Sequence, residues 1–256
     1  MKKISSTIII GALGLSLVTL PGLSEVSAST LTNREKLEVI QEMNPESTIL
    51  GLQAEIEATA PEIGLNYSDT LDKIYRESVE EREDSISSVT EGGTTMTAAS
   101  SKRSETLPAS GIGNIYYTPA WLADGNGNVG HVGIYHYSDK VVEAPGIGKK
   151  SQLRNRSDIK VAKTYTRIGQ VETSLTNRRE AANYAKTYLT GQDYRLMFAI
   201  NKRKGGYKNS LNCSSLVWYA YKNATGIDLD KDGGLGVYPR DIINNREYVT
   251  FVGGLY

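Results

Sequence analysis

Cys213 is the only cysteine among 256 residues, and it sits in the run Asn212-Cys213-Ser214-Ser215-Leu216-Val217-Trp218. A single thiol has no partner for an internal disulfide, so it packs in a core, bridges to another chain, or acts as a nucleophile. Asn212 is a good N-cap, which predicts Cys213 in the first turn of a helix. Unpaired backbone N–H groups and the helix dipole there favour thiolate over thiol, and the same groups can receive an oxyanion. A lone cysteine ahead of an apolar helix is more often plain core. The nucleophile reading therefore depends on a base elsewhere in the chain.

There are two histidines, His131 and His136. The run His131-Val132-Gly133-Ile134-Tyr135 alternates as a strand and puts His131 on one face with Gly133, where a missing side chain leaves room for the imidazole. His136 has the opposite parity and falls where the next turn is expected, so it reads as a turn or surface residue. With Tyr135 to Asp139 as the loop, Ile134 pairs with Lys140, Val132 with Val142, and His131 stands opposite Glu143. Opposed Cβ atoms in such a ladder lie about 4.5–5.5 Å apart. The expected constellation is Cys213 as nucleophile, His131 as base and Glu143 as the carboxylate that orients the imidazole. Tyr116 and Tyr117 are candidates, on position alone, for a further oxyanion donor.

The elements that must position these residues divide the chain. Residues 1–28 read as a secretory signal: Lys2 and Lys3, an apolar stretch from Ile8 to Leu20, and a small-residue cleavage site at Val26-Ser27-Ala28. That stretch is short of the roughly 20 residues a membrane span needs, so no stable span is expected after cleavage, and the product is expected to be secreted or envelope-associated. Residues 29–86 read as an acidic helical region with a capping box at Thr32 and Glu35 and a helix from Ser68 to Ile86. Residues 87–107 read as a Ser/Thr/Gly-rich linker. Residues 108–256 read as an α+β domain, with short strands at 112–117, 131–135, 140–144 and 160–165. Its helices are expected from Arg178 to Leu189, with Asn177 and Glu180 as the capping pair, and from Asn212 to Gly226.

Charge follows the same division. Residues 29–107 hold 7 Lys+Arg and 16 Asp+Glu, net −9, whereas residues 108–256 hold 20 and 12, net +8. The acidic region is thus expected to dock on the basic one as a pro-segment would, with a tether or spacer as the alternative. A basic surface concentrates anionic envelope partners. Sparse apolar residues in 29–86 predict a weak fold for that region alone.

Gly130-His131-Val132-Gly133-Ile134-Tyr135, Val141-Val142-Glu143-Ala144 and Asn212-Cys213-Ser214-Ser215-Leu216-Val217-Trp218 together resemble the circularly permuted branch of the NlpC-type cysteine hydrolases, the YiiX-like permuted papain-like amidases. Histidine precedes cysteine here, as that branch requires, and its order of histidine, polar residue and cysteine maps onto His131, Glu143 and Cys213. The segments Ile227-Asp228-Leu229-Asp230 and Pro239-Arg240-Asp241-Ile242 are also similar to the family. The resemblance covers roughly residues 110–245. It implies a small antiparallel sheet packed on helices and a cysteine peptidase or amidase acting on peptide or peptidoglycan stem material. Acyl transfer or thioester hydrolysis on the same residues, and a catalytically idle envelope-binding module, stand as alternatives. Asn114 departs from the family's usual Gly-Asp, which puts any role of that acid in doubt.

No cofactor or metal is expected. Asp228-Leu229-Asp230-Lys231-Asp232-Gly233 begins like a calcium loop, but its twelfth position is Pro239, where a bidentate glutamate belongs. Gly146-Ile147-Gly148-Lys149-Lys150 is too short for a phosphate loop. One cysteine and two histidines argue against structural zinc, and Lys202-Arg203-Lys204 is too small a cluster to argue for nucleic acid.

Overall fold

The computed structural model describes residues 31–44, 47–87, 102–120, 128–195, 197–202 and 210–255. The expected signal segment and most of the expected linker lie outside them. Three helices come first: α1 (Asn33–Glu42), α2 (Ile49–Thr59) and α3 (Tyr67–Ser87). Thr32 and Glu35 cap α1 reciprocally, with the Thr32 N–H donating to Glu35 Oε2 at 2.7 Å. Leu37, Ile40, Leu52, Ile56, Leu71, Ile74 and Tyr75 are too few to enclose a core of their own. They close one by packing on Met197, Ala199 and Ile200 of the later domain.

The remainder is α+β. Its centre is an antiparallel six-stranded sheet in the order β10-β7-β2-β3-β4-β5, built from β2 (Ile115–Thr118), β3 (His131–Tyr137), β4 (Lys140–Glu143), β5 (Gln152–Asn155), β7 (Thr166–Val171) and β10 (Val249–Leu255). One face, with Ile115, Tyr117, Val132, Ile134 and Val142, packs on α4 (Leu175–Tyr188) and α5 (Cys213–Thr225). The other carries Tyr116, Tyr135, Val141 and Ile168 and is closed by Leu107, Ile159 and Val161. These last come from or beside a two-stranded ribbon of β1 (Arg103–Thr106) and β6 (Lys160–Ala162). Strand β1 thus falls inside the stretch expected as linker: its Ser/Thr content hid a partner 54 residues away, with Thr106 paired to Lys160.

Two further expectations shift. Helix α4 begins at Leu175 and is capped by Ser174, whose hydroxyl accepts from the Asn177 N–H, so Asn177 and Glu180 lie within the helix and are not its capping pair. The β3–β4 turn is also tighter than the five-residue loop. Tyr137 pairs with Lys140, Tyr135 with Val141 and Ile134 with Val142, and His136 is the extra residue of a bulge. His136 is consequently neither in a turn nor on the surface. It is 4 % exposed, its Nε2 bonds Asn183 of α4 at 3.1 Å, and burial lowers its basicity.

Candidate active site

His131 is the first residue of β3, Glu143 the last of β4 and Cys213 the first of α5, so the three meet where these elements end. The tighter turn moves the register by two residues from the expected one. In the extended ladder Glu143 therefore faces Gly133, and His131 lies on the diagonal. A two-residue shift keeps both side chains on the same face, and a diagonal neighbour is within reach of a long side chain. The Glu143 carboxylate spans the gap, with Oε2 3.0 Å from His131 Nε2. Gly133 leaves the space this needs: a Cβ there would lie 2.5 Å from Tyr116 Cε1 and 3.2 Å from Glu143 Cβ.

Three donors converge on Glu143, which is 1 % exposed. His131 and the Tyr116 hydroxyl both reach Oε2, and Arg154 Nη1 donates to Oε1 at 2.7 Å. Burial pushes the carboxyl up, but the hydrogen bond and charge of His131, with the Tyr116 and Arg154 donors, outweigh it and hold the group at about 2. Tyr116 therefore serves the carboxylate and is not aimed at an oxyanion. The Tyr117 hydroxyl is also engaged, accepting from Asn128 Nδ2 at 3.2 Å, while its ring fills the space over Gly130.

Cys213 is 1 % exposed. Asn212 caps its helix by accepting from the Ser215 N–H at 2.9 Å, and Ser215 Oγ accepts in turn from the Asn212 N–H at 3.0 Å. Burial pushes the thiol up. The charge and hydrogen bond of His131, joined by the backbone N–H groups of Val132 and Ser214, prevail and bring it below its ordinary value of 9.0. For His131, burial disfavours the cation, but the thiolate and Glu143 on its two sides raise it to about 9. Because Nε2 faces Glu143, Nδ1 is the ring nitrogen left for the sulfur. Both shifts run in the direction that favours a thiolate–imidazolium pair, the reactive state of a cysteine nucleophile.

Sequence reasoning missed two contributors. Tyr194, in the two-residue strand β8 (Asp193–Tyr194), hydrogen-bonds Cys213, and burial and the thiolate's charge push its hydroxyl well above 10. Arg154 lies in the exposed, charged strand β5, which has no apolar alternation to reveal its direction. A cavity of about 270 Å³ opens beside His131 and Glu143, and Arg103, Lys149, Arg154 and Lys160 supply cations to its wall against the single further acid Asp158. No described residue of 31–87 lines it.

The fold and cluster define an α+β protein with a cysteine, a histidine and a glutamate joined at the ends of a helix and two strands. No family model matches the sequence. Uncharacterized protein YycO of Bacillus subtilis (strain 168) is 31% identical over 236 residues, covering 92% of this chain and 93% of YycO. The chain belongs to the YycO family. Among solved structures it is similar to metalloprotein yiiX (DUF1105) from Escherichia coli O157:H7, with 16% identity and a TM-score of 0.43, over 59% of this chain and 98% of that one.

Proposed function

We propose that the protein is an exported cysteine hydrolase that cleaves an amide through a thioacyl intermediate, on a permuted papain-like scaffold. The observation that carries this reading is the position of His131, hydrogen-bonded to Glu143 at 3.0 Å on one side and to Cys213 on the other. Cys213 Sγ attacks the carbonyl carbon, and His131, already holding the proton, delivers it to the leaving nitrogen. Glu143 keeps the ring aimed and balances its charge. Water, deprotonated by His131, then attacks the thioester and releases the acid and the thiolate. The Ser214 and Val132 N–H groups, which hold the thiolate, are the nearest donors for the developing oxyanion.

The cation-rich cavity beside the pair selects an amide with an anionic group close to the scissile bond, such as a carboxylate of a peptidoglycan stem peptide. The test uses the exported chain, residues 29–256, with stem peptides whose carboxylates are free or amidated. Turnover of the free-carboxylate peptide, abolished in Cys213→Ala, with a Cys213-linked acyl mass after acid quench, is expected. An acyl mass that persists until an amine acceptor is added would assign acyl transfer. No acyl mass together with undiminished binding by Cys213→Ala would leave an envelope-binding module.

A further inference from the structure

A second concentration of chemistry lies away from the thiol, on the seam between α3 and the 228–241 segment. Asp230, Asp232 and Asp241 each offer a carboxylate oxygen, and these oxygens all lie within 4.8 Å of one another. Tyr238 N–H fixes Asp241 Oδ2 at 2.7 Å, and Gly234 N–H fixes Asp232 Oδ1 at 2.9 Å. Lys202 takes Asp230 Oδ2, while Oδ1 of the same carboxylate is buried without a partner. An acidic cluster alone argues little. Here α3 adds Glu81, which is 5 % exposed, has a buried Oε1 with no hydrogen-bond donor, and is close enough to Asp241 and Asp232 to feel both charges.

Glu77 brings a fifth carboxylate nearby, satisfied by the N–H groups of Leu235 and Gly236 at 2.8 and 2.7 Å. Among the described residues, the cations acting on these groups, apart from the more exposed Lys231–Asp84 pair, are Lys202 and Arg240. Among the described residues acids therefore outnumber cations here, and an unpaired buried carboxylate is costly.

We propose that Asp230, Asp232 and Asp241, with Glu81 from α3, bind one divalent cation of calcium's size and chemistry, which fastens the N-terminal helices to the later domain. All the ligands are hard oxygens, and no histidine or cysteine is among them. Calcium binds oxygens at about 2.3–2.6 Å, so two ligands of one ion lie no more than about 5 Å apart, which the three aspartates satisfy. Magnesium's shell spans only about 4.2 Å and keeps several waters, which suits a rigid protein cage poorly. The Asp228–Gly233 run thus supplies ligands without the twelve-residue loop. Asp241 and Glu81 take the place of the glutamate that Pro239 excludes.

The experiment is calorimetric titration of the chelator-treated exported chain with CaCl2 and with MgCl2, alongside thermal melts. One calcium is expected to bind per chain, with a dissociation constant of roughly 0.1–1 mM, as in extracellular modules. At saturating calcium the melting temperature should rise by about 5 °C. Asp232→Asn, at an exposed position that folding tolerates, should weaken calcium binding at least about tenfold. Glu81→Gln should do the same while also lessening the calcium-dependent rise in melting temperature. Absence of heat and of any melting shift up to about 10 mM calcium, equal stabilisation by magnesium, or unchanged binding in both variants would each overturn the assignment.

Discussion

The proposed thiolate–imidazolium pair at Cys213 makes a prediction that depends on slopes and needs no substrate. Removing the imidazole with His131→Ala leaves burial opposed only by the Val132 and Ser214 N–H groups, so the thiol is expected to rise toward its ordinary 9.0. Below that value the thiolate fraction grows about tenfold per pH unit, so alkylation of the variant should climb roughly a hundredfold between pH 6 and pH 8. At pH 7 only about 1% or less of it is reactive. The wild-type curve should bend at lower pH. Its thiolate forms below 9.0 by transfer of the proton to His131, and the imidazolium persists until about 9.

Once the thiolate has formed the wild-type rate is expected to level, and near pH 9 it changes again as the pair loses its shared proton. A thiolate of lower basicity is intrinsically the weaker nucleophile, so absolute rates near pH 8 converge and the contrast is sharpest at pH 6. Dilute iodoacetamide with intact-mass readout suffices, because Cys213 is the only thiol. Parallel slopes of about one for both proteins from pH 6 to 8 would refute the ion pair and return Cys213 to simple packing.

Three other perturbations separate the parts of the structure. Glu143 is depressed from 4.5 to about 2, so its contribution to stability is fully present above pH 4.5 and is lost as pH falls through about 2. That displacement is worth about 3 kcal/mol. Glu143→Gln should therefore be less stable than wild type at pH 7 yet match it near pH 2 in urea melts, and an unchanged acid limb would count against the assigned contacts. Gly236→Ala places a Cβ 2.5 Å from the Phe198 carbonyl oxygen and 2.8 Å from Glu77 Oε1. It should cost about 1–3 kcal/mol, seen as a melting temperature roughly 3–10 °C lower; an unshifted melt would mean that the seam yields without loss. Lys149→Ala combined with Lys160→Ala should raise KM for an anionic peptide about tenfold at low salt, with kcat and Cys213 alkylation unmoved, and added salt should narrow the difference. An unchanged KM would remove the cavity from substrate selection.

The residues that could do chemistry were legible because the sequence is poor in them. One cysteine and two histidines left few pairings, and strand alternation chose His131. The carboxylate was found by a register that is off by two, and the parity of the strand rescued it: any even error keeps His131 and Glu143 on one face. The odd consequence of the real turn fell on His136, which a bulge turned inward onto Asn183. Contacts that join distant, short or polar segments were illegible for a physical reason. Two-residue strands such as β8, which carries Tyr194, have no period, and β1 and β5 are surface strands without apolar alternation. The scarcity of apolar residues in 29–86 was visible, but not that Met197, Ala199 and Ile200 would complete their core.

That shared core changes what the acidic region means for the thiol. The described residues of 31–87 do not line the cavity beside His131; they grip the segments that support the helix beginning at Cys213. Glu77 accepts from Leu235 and Gly236 N–H. The next residue, Val237, donates to Asn201 Oδ1 at 2.8 Å and accepts from Asn201 Nδ2 at 2.9 Å and from Ser214 Oγ at 2.7 Å. Asn201 Nδ2 also reaches Asn212 Oδ1, the cap atom of α5, at 3.1 Å. A continuous run of hydrogen bonds therefore leads from α3 to the turn that presents Cys213. An apolar core and the Glu77 hydrogen bonds join the two regions, and the outcome is a brace on the back of the site.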